Sequence, residues 1–272
     1  MTGSCWRLLV EGPVGGAWNM AVDEAVSEAV GRGEAAPTLR FYAWERPTVS
    51  LGALQRFPGG VDVSVCRGHG IPLIRRMSGG RAVLHAAELT YSVAVPRIGA
   101  WHGSVPEVFR RLCEGLVAGL ARLGIRATLG DGRPFREGPG AGACFLLRQA
   151  PAILVAGRKL VGSAQYRSDR AVLQQGSLLL DFDPTLHLAL FPGWPHHHPT
   201  AAVTCLRELL GRIPARKLLI AALCRGWQEC VGPVGAREAL TPAESARATH
   251  LVRIRYGTEA WTRERQMAGL SP

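Results

Sequence analysis

The sequence contains very little lysine. Of its 32 basic residues, only Lys159 and Lys217 are lysines, which leaves 32 − 2 = 30 arginines. It also lacks an apolar run long enough to span a membrane, and its N-terminus lacks the charged start and apolar stretch of a secretory signal. With 47% hydrophobic and 19% charged residues, the composition is globular. These features predict a soluble, cytoplasmic protein without a membrane partner.

The cysteine pattern argues against both a disulfide framework and a zinc ribbon. The seven cysteines are an odd number and form no CxxC pair, so reduced thiols are expected. Three adjacent histidines, residues 196–198, lie in a proline-rich stretch and cannot all converge on one ion, so we predict a surface loop and no metal site. Six cysteines lie in or beside apolar runs and are expected to be core residues: Cys5, Cys66, Cys113, Cys205, Cys224 and Cys230.

No GxxxxGK[ST] loop is present, and the Gly79-Gly80 pair lacks the third glycine of a dinucleotide fingerprint, so no nucleotide cofactor is predicted. The net charge of +11 favours an acidic partner, whether nucleic acid, anionic lipid or protein. Basic residues are dispersed, and the 7% of aromatics are not interleaved with them. Nucleic acid is therefore not favoured, and an anionic lipid and an acidic protein both stay open at this point.

The hydrophobic pattern predicts an α+β fold of mixed β-sheets flanked by helices. Helices are expected at 19–31, with Asn19 as N-cap, and at 105–123, where apolar residues recur at helical spacing. Paired strands are expected at 38–44 and 48–54. Further elements are a short helix at 61–68, strands at 71–76, 89–95, 153–155, 159–166 and 172–181, and helices at 184–190, 206–210, 216–231 and 242–256. We expect one catalytic domain over residues 1–272, with a helical C-terminal part from about 184 to 272.

The stretch from Ile74 to Ser92 has the features of a binding segment. Its Gly79-Gly80 turn follows Ser78 and is flanked by Arg75, Arg76 and Arg81. Paired glycines let the backbone approach another molecule closely, and the arginines suit a carbonyl, carboxylate or phosphate oxygen. The alternative is an ordinary hairpin with solvated arginines.

Two residues are candidates for chemistry. Because this sequence uses arginine almost wherever a positive charge suffices, the retained Lys159 indicates a site that needs a compact ammonium. Cys144 follows a stretch rich in glycine and proline, residues 130–142, which is expected to be a mobile loop. A thiol there, near the Lys159 ammonium, would favour the thiolate and become nucleophilic.

The stretch RRMSGGRAVLH followed by ELTYSV resembles the signature of the lipoate–biotin protein ligase superfamily, and most closely its LipM-type octanoyltransferases. The resemblance extends over roughly residues 6–185 through three further stretches: WNMAVDEA from Trp18, ACF from Ala143 with GRKLVGSAQ from Gly157, and QGSLL from Gln175. It implies a biotin/lipoate protein ligase-like, class II synthetase-like catalytic domain.

The resemblance also implies a reaction without a cofactor. Members move octanoyl from acyl carrier protein onto a lysine of a lipoyl domain, such as the glycine cleavage H protein, through a cysteine thioester. Cys144 matches the acyl-accepting cysteine, and Lys159 would stabilise its thiolate. The substrate-binding residues are then expected to be Arg76, Ser78, Gly79, Gly80, His85, Gly162, Ser163 and Ala164. Ala86 and Ala87 stand where relatives carry polar residues, which argues against a proton relay through His85.

Three alternatives remain open from the sequence. An ATP-dependent lipoate–protein ligase would use Lys159 on a phosphate and would have no role for Cys144. An octanoyl amidotransferase acting between lipoyl domains would also use a cysteine. A regulatory nucleic-acid-binding module is disfavoured because the first elements begin near residue 6.

Overall fold

The computed structural model describes residues 5–130, 152–193 and 199–267. Its strands are β1 (Trp6–Val14), β2 (Thr38–Trp44), β3 (Thr48–Leu51), β4 (Leu73–Arg75), β5 (Val83–His85), β6 (Glu88–Pro96), β7 (Thr128–Leu129), β8 (Ala152–Val155), β9 (Arg158–Arg167), β10 (Ala171–Leu179) and β11 (Val234–Glu238). Its helices are α1 (Gly16–Gly31), α2 (Val63–Gly68), α3 (Val105–Ala121), α4 (Pro184–Leu190), α5 (Leu206–Leu210), α6 (Arg216–Cys230), α7 (Pro242–Leu251) and α8 (Glu259–Glu264). The predicted α+β class with mixed sheets is confirmed.

The strands form two sheets. The large sheet has the order β11-β1-β2-β6-β10-β9-β8-β7, with β11, β1 and β2 parallel and the following neighbours antiparallel. The small sheet has the order β4-β3-β5. Helices α1 and α7 pack together on one side of the large sheet, and the buried residues of α3 and α6 join the core on the other. No helix in the described part of the chain is long and apolar enough to cross a membrane.

The α3–α6 pair shows how local sequence directs packing. Helix α3 begins at a capping box between Ser104 and Glu107, which satisfies backbone donors at its first turn. It then packs closely against α6, where a Cβ on Gly226 would lie 2.0 Å from the backbone nitrogen of Gly119. Glycine at both positions therefore sets the separation of the two helices.

Strands β8 and β9 form a hairpin across Ala156 and Gly157. Its turn has φ of 47° at Ala156 and 76° at Gly157, and positive φ at both central residues matches the twist of the paired strands.

Several local predictions were wrong. Helix α1 begins at Gly16 with Gly15 as N-cap, and the side chain of Asn19 is buried and donates to the Ala43 carbonyl. Strands β2 and β3 belong to different sheets. The Gly79-Gly80 turn does not close a hairpin, because β3 lies between β4 and β5.

The C-terminal part is also not purely helical, since β11 pairs with β1 there. Cys66, Cys113 and Cys205 are buried as expected, whereas Cys5 and Cys230 are exposed. Cys5 directly precedes β1, and Cys230 is the last residue of α6.

Candidate active site

A cavity lies between α1, the small sheet and one face of β6, β10 and β9. The space between its atoms, with the open solvent at its mouth included, is about 490 Å³. The lining residues are Met20, Tyr42, Arg76, Ser78, Val83, His85, Thr90, Lys159, Gly162, Ser163, Ala164, Gln175, Gly176 and Ser177. Most of the lining surface consists of apolar atoms, although nine of the fourteen residues carry a polar or charged side chain.

The cavity brings together seven of the residues that the sequence indicated: Lys159, Arg76, Ser78, His85, Gly162, Ser163 and Ala164. Gly79 and Gly80 are not among its described lining residues. Instead they form a partly exposed turn behind the wall. The Gly80 oxygen packs closely on Gly52, since a Cβ on Gly52 would lie 1.9 Å from that oxygen. Cys144 and residues 196–198 lie outside the described residues.

Lys159 enters the cavity from β9 with a firmly held backbone. Its amide donates to the Ala202 oxygen at 2.9 Å, and its oxygen accepts from the Thr204 amide at 3.0 Å. The residue is only 2% exposed. A compact ammonium is thus held in a largely apolar wall, where charge interactions are stronger than in water.

The arginines beside the glycine turn support the wall. Arg76 donates Nη1 to the backbone and side-chain oxygens of Ser50, and Nη2 to the oxygens of Gly79 and Arg81, at 2.7–2.9 Å. Arg75 does not line the cavity, contrary to the expectation that it faces a ligand oxygen. Its buried guanidinium donates to main-chain oxygens of residues 52, 53, 55, 261 and 262. It thereby holds α8 against β4.

His85 lines the cavity with both ring nitrogens occupied. Nε2 lies 2.8 Å from Ser50 Oγ, and Nδ1 lies 2.8 Å from Glu88 Oε1. One ring face stacks on Trp44, with centroids 4.0 Å apart. The contact of Nδ1 with Glu88, and that of Nε2 with the Ser50 hydroxyl that also accepts from Arg76, hold both ring nitrogens within the protein. His85 is therefore both a wall of the cavity and a satisfied histidine. Glu88, three residues further along the chain, provides His85 with the polar partner that Ala86 and Ala87 cannot provide.

A buried network fixes the opposite wall. Ser78 Oγ donates to Gln175 Oε1 at 2.6 Å, and Gln175 Nε2 donates to Asp23 Oδ2 at 2.7 Å. Asp23 also accepts from Tyr42 and from the buried Arg40. Burial and the Asp23 charge raise the pKa of Tyr42 well above its usual value, so its hydroxyl keeps its proton. The network ties α1 to the residue before the glycine turn.

A second hydrogen-bonded chain holds Ser163. Its Oγ lies 2.7 Å from the Tyr91 hydroxyl, which accepts from Gln174 Nε2 at 2.9 Å. Burial raises the pKa of Tyr91 well above its usual value, so this phenol also stays protonated. Gly176 leaves room for the Tyr91 ring, since a Cβ there would lie 2.3 Å from Cε1.

Sequence reasoning missed seven lining residues: Met20, Tyr42, Val83, Thr90, Gln175, Gly176 and Ser177. It also missed Asp23, although a usable signal was present. The apolar stripe of α1 runs on both sides of Asp23, so its carboxylate must be buried and must have partners.

Comparison with known proteins shows the family of the chain. The family model of the lipoyl protein ligase A/B catalytic domain matches residues 16–228, so the chain belongs to that family. The octanoyltransferase LipM of Symbiobacterium thermophilum is 41% identical over 94% of this chain and 97% of its own length. That of Moorella thermoacetica is 35% identical over 97% and 100%. Within the family, the chain is accordingly a LipM-type octanoyltransferase, an acyltransferase of lipoate biosynthesis.

Solved structures show the same fold. A lipoate-protein ligase A bound with ATP superposes with a TM-score of 0.80 at 25% identity, covering 97% of this chain and 99% of that one. A lipoate protein ligase of T. acidophilum with bound lipoic acid gives a TM-score of 0.76, also at 25% identity, covering 97% and 100%. The fold is thus that of lipoate protein ligases.

Proposed function

We propose that this octanoyltransferase takes octanoyl from acyl carrier protein and passes it through a thioester on Cys144 to a lysine of a lipoyl domain, such as the glycine cleavage H protein, in the cytoplasm. The observation that carries the proposal is Lys159, a rare and buried ammonium in the wall of a cavity suited to an acyl chain. The LipM names of the relatives support the transferase chemistry.

The first step exchanges one thioester for another. The Cys144 thiolate attacks the octanoyl carbonyl, and the carrier thiolate leaves as the new carbon–sulfur bond forms. Lys159 stabilises the attacking thiolate and the negative charge that develops on the carbonyl oxygen. Gly162, Ser163 and Ala164 lie beside it on the same strand and border the reacting carbonyl. Arg76, Ser78 and His85 form the wall along the acyl chain, and Gly79 and Gly80 support that wall.

The second step forms an amide. A neutral lysine amine of the lipoyl domain attacks the enzyme thioester, and the Cys144 thiolate leaves. The amine loses one proton to solvent in this step, and the carrier thiolate released in the first step takes one proton from solvent, so thioester and amine become amide and thiol overall. His85 is no acid or base in this scheme, since both its nitrogens are engaged within the protein.

The test is intact-mass analysis after mixing the enzyme with octanoyl-acyl carrier protein. One added octanoyl group that is absent in Cys144→Ala supports the proposal, and transfer to a lipoyl domain completes it. Acylation that persists in Cys144→Ala contradicts the assignment of the nucleophile.

An ATP-dependent ligase is a second candidate because the ATP-bound ligase shares the fold so closely. It would release pyrophosphate from ATP when given free octanoate, whereas the transferase ignores ATP. An amidotransferase would accept octanoyl from a lipoyl domain and not from the carrier.

A further inference from the structure

A cluster of arginines lies at one end of the large sheet, away from the cavity. We call it the arginine patch; its members are Arg97, Arg110, Arg111, Arg167 and Arg170. They come from the end of β6, the first turns of α3 and the β9–β10 turn. The acidic residues within the same segments, 97–111 and 166–170, are Glu107 and Asp169. Five positive and two negative charges leave this surface with a net charge of +3.

The centre of the patch is a pair of like charges. Arg97 and Arg167 lie close enough that burial, together with the charge of Arg97, lowers the pKa of Arg167. Arg97 donates to the Ser168 oxygen, and Arg167 donates to the Gly103 oxygen. Both Nε atoms are buried without a hydrogen-bond partner. Within the described parts of the chain, neither guanidinium has a carboxylate within ion-pair distance.

Apolar side chains lie in the same surface. Ile98, in the segment after β6, is 68% exposed, and Val105, the first residue of α3, is 43% exposed. The half-buried Trp101 lies between them, with the Arg111 guanidinium 6.0 Å from its ring. Uncompensated positive charge around exposed apolar groups is complementary to an acidic protein surface with an apolar side chain at its centre.

The position of the patch distinguishes between the two protein substrates of the proposed function. Arg167 ends the strand on which Gly162–Ala164 border the cavity, three residues or roughly 10 Å beyond Ala164. An acceptor lysine has only a four-carbon stem, so its domain must sit directly at the cavity. A carrier protein presents its acyl group on a long flexible arm and can bind farther away.

We infer that the arginine patch, with Ile98 and Val105, is the docking surface for the acidic carrier domain that donates the acyl group. The inference depends on the proposed function, because it names the surface that receives the first substrate. It does not depend on which cysteine is acylated.

The experiment compares two donors that deliver the same acyl group. Octanoyl-acyl carrier protein requires the docking surface, whereas octanoyl-pantetheine has no protein to dock. In Arg97→Glu, Arg167→Glu and Ile98→Ser we expect the KM for the carrier donor to rise at least about tenfold at low salt. For the two charge reversals, the difference from wild type should shrink as salt is added. Turnover of octanoyl-pantetheine and the KM for the lipoyl domain should stay within about twofold of wild type.

Arg212→Glu, an exposed arginine outside the patch, is the matched control and should behave as wild type. Ile98→Ser protects the test against misfolding, because this side chain is mostly solvated. An unchanged KM for the carrier donor in all three variants overturns the inference. A rise in the KM for the lipoyl domain alone also overturns it, as does a loss of nucleic-acid binding without a change in the KM for the carrier donor. If the wild-type enzyme takes octanoyl from neither donor, the proposed function itself fails.

Discussion

Nδ1 of His85 lies 2.8 Å from Oε1 of Glu88, and this single oxygen also accepts from Thr90 Oγ1 and Ser177 Oγ. Three donors from three strands, β5, β6 and β10, thus converge on one buried carboxylate oxygen. The contact fixes the orientation of the histidine ring, which stacks on Trp44 with one face and lines the cavity with the other. Glu88 therefore acts on the acyl pocket through His85 without lining the pocket itself.

Replacing Glu88 tests this arrangement. Glu88→Gln keeps an acceptor for the three donors and should cost about 1 kcal/mol of unfolding free energy. Glu88→Leu leaves all three donors without an acceptor and should cost about 3 kcal/mol or more. Nitrogen NMR of His85 should report the Nδ1–H tautomer in wild type and Glu88→Gln only. The KM for the octanoyl donor should rise about tenfold in Glu88→Leu. An unchanged tautomer in that variant would contradict the assigned role.

The two lysines of the chain provide a matched pair of substitutions. Lys159→Met should slow octanoylation of the enzyme at least ~100-fold, because the ammonium that stabilises thiolate and oxyanion is removed. Lys159→Arg should be similarly slow, since a planar guanidinium does not fit where a compact ammonium does. Lys217→Met, on the exposed side of α6, should match wild type. Rapid quenching followed by intact-mass analysis measures the rates, and an active Lys159→Arg would show that charge alone suffices.

The α3–α6 contact predicts a large effect from one methyl group. In Gly226→Ala the new Cβ would meet the Gly119 nitrogen at 2.0 Å and the Gly115 oxygen at 2.5 Å, and neither backbone atom can move without displacing α3. We expect a loss of about 3 kcal/mol of unfolding free energy in urea titrations. Gly12→Ala is the control, because no atom lies within 4 Å of its Cβ. Equal stability of the two variants would mean that the helices separate easily.

The parts of the fold that local sequence predicts are those with a regular apolar period. Strand β2 has the predicted bounds, Thr38–Trp44, and α3 begins at the predicted residue, Val105. Both follow from side chains that must face one core. The order β4-β3-β5 was not predictable in this way, since β3 separates two strands that are closer to each other along the chain. Strand β11 was missed because its residues are short of apolar side chains and it lies at a sheet edge.

In the candidate site, too, some residues are predictable from local sequence and others are not. Lys159 was found because lysine is rare in this sequence, a property that requires no structure. The chain from Ser78 through Gln175 to Asp23 joins residues up to 152 positions apart, and each link depends on how α1 lies over the sheet. Polar residues inside apolar elements indicate such networks, but the sequence alone does not give their pairing.

His187 makes the stability of the fold sensitive to acid. Its ring is buried between Phe182 and Phe191, with Nε2 unpartnered, and burial lowers its pKa from 6.5 to about 4. Between these two values the unfolded chain binds a proton that the folded chain excludes. The neutral ring is therefore tolerated above pH 6.5, and stability is lost as pH falls from 6.5 toward 4.

Replacing this ring should remove that acid sensitivity. Between pH 7 and pH 4.5, His187 should account for a loss of about 2 to 3 kcal/mol of unfolding free energy, and His187→Phe should lack that part of the loss. Urea titrations at both pH values measure the difference, and His69→Phe, at the exposed end of α2, should retain the wild-type slope. If His187→Phe loses as much stability as wild type over this interval, then protonation of the buried His187 ring does not destabilise the folded chain, and the prediction is wrong.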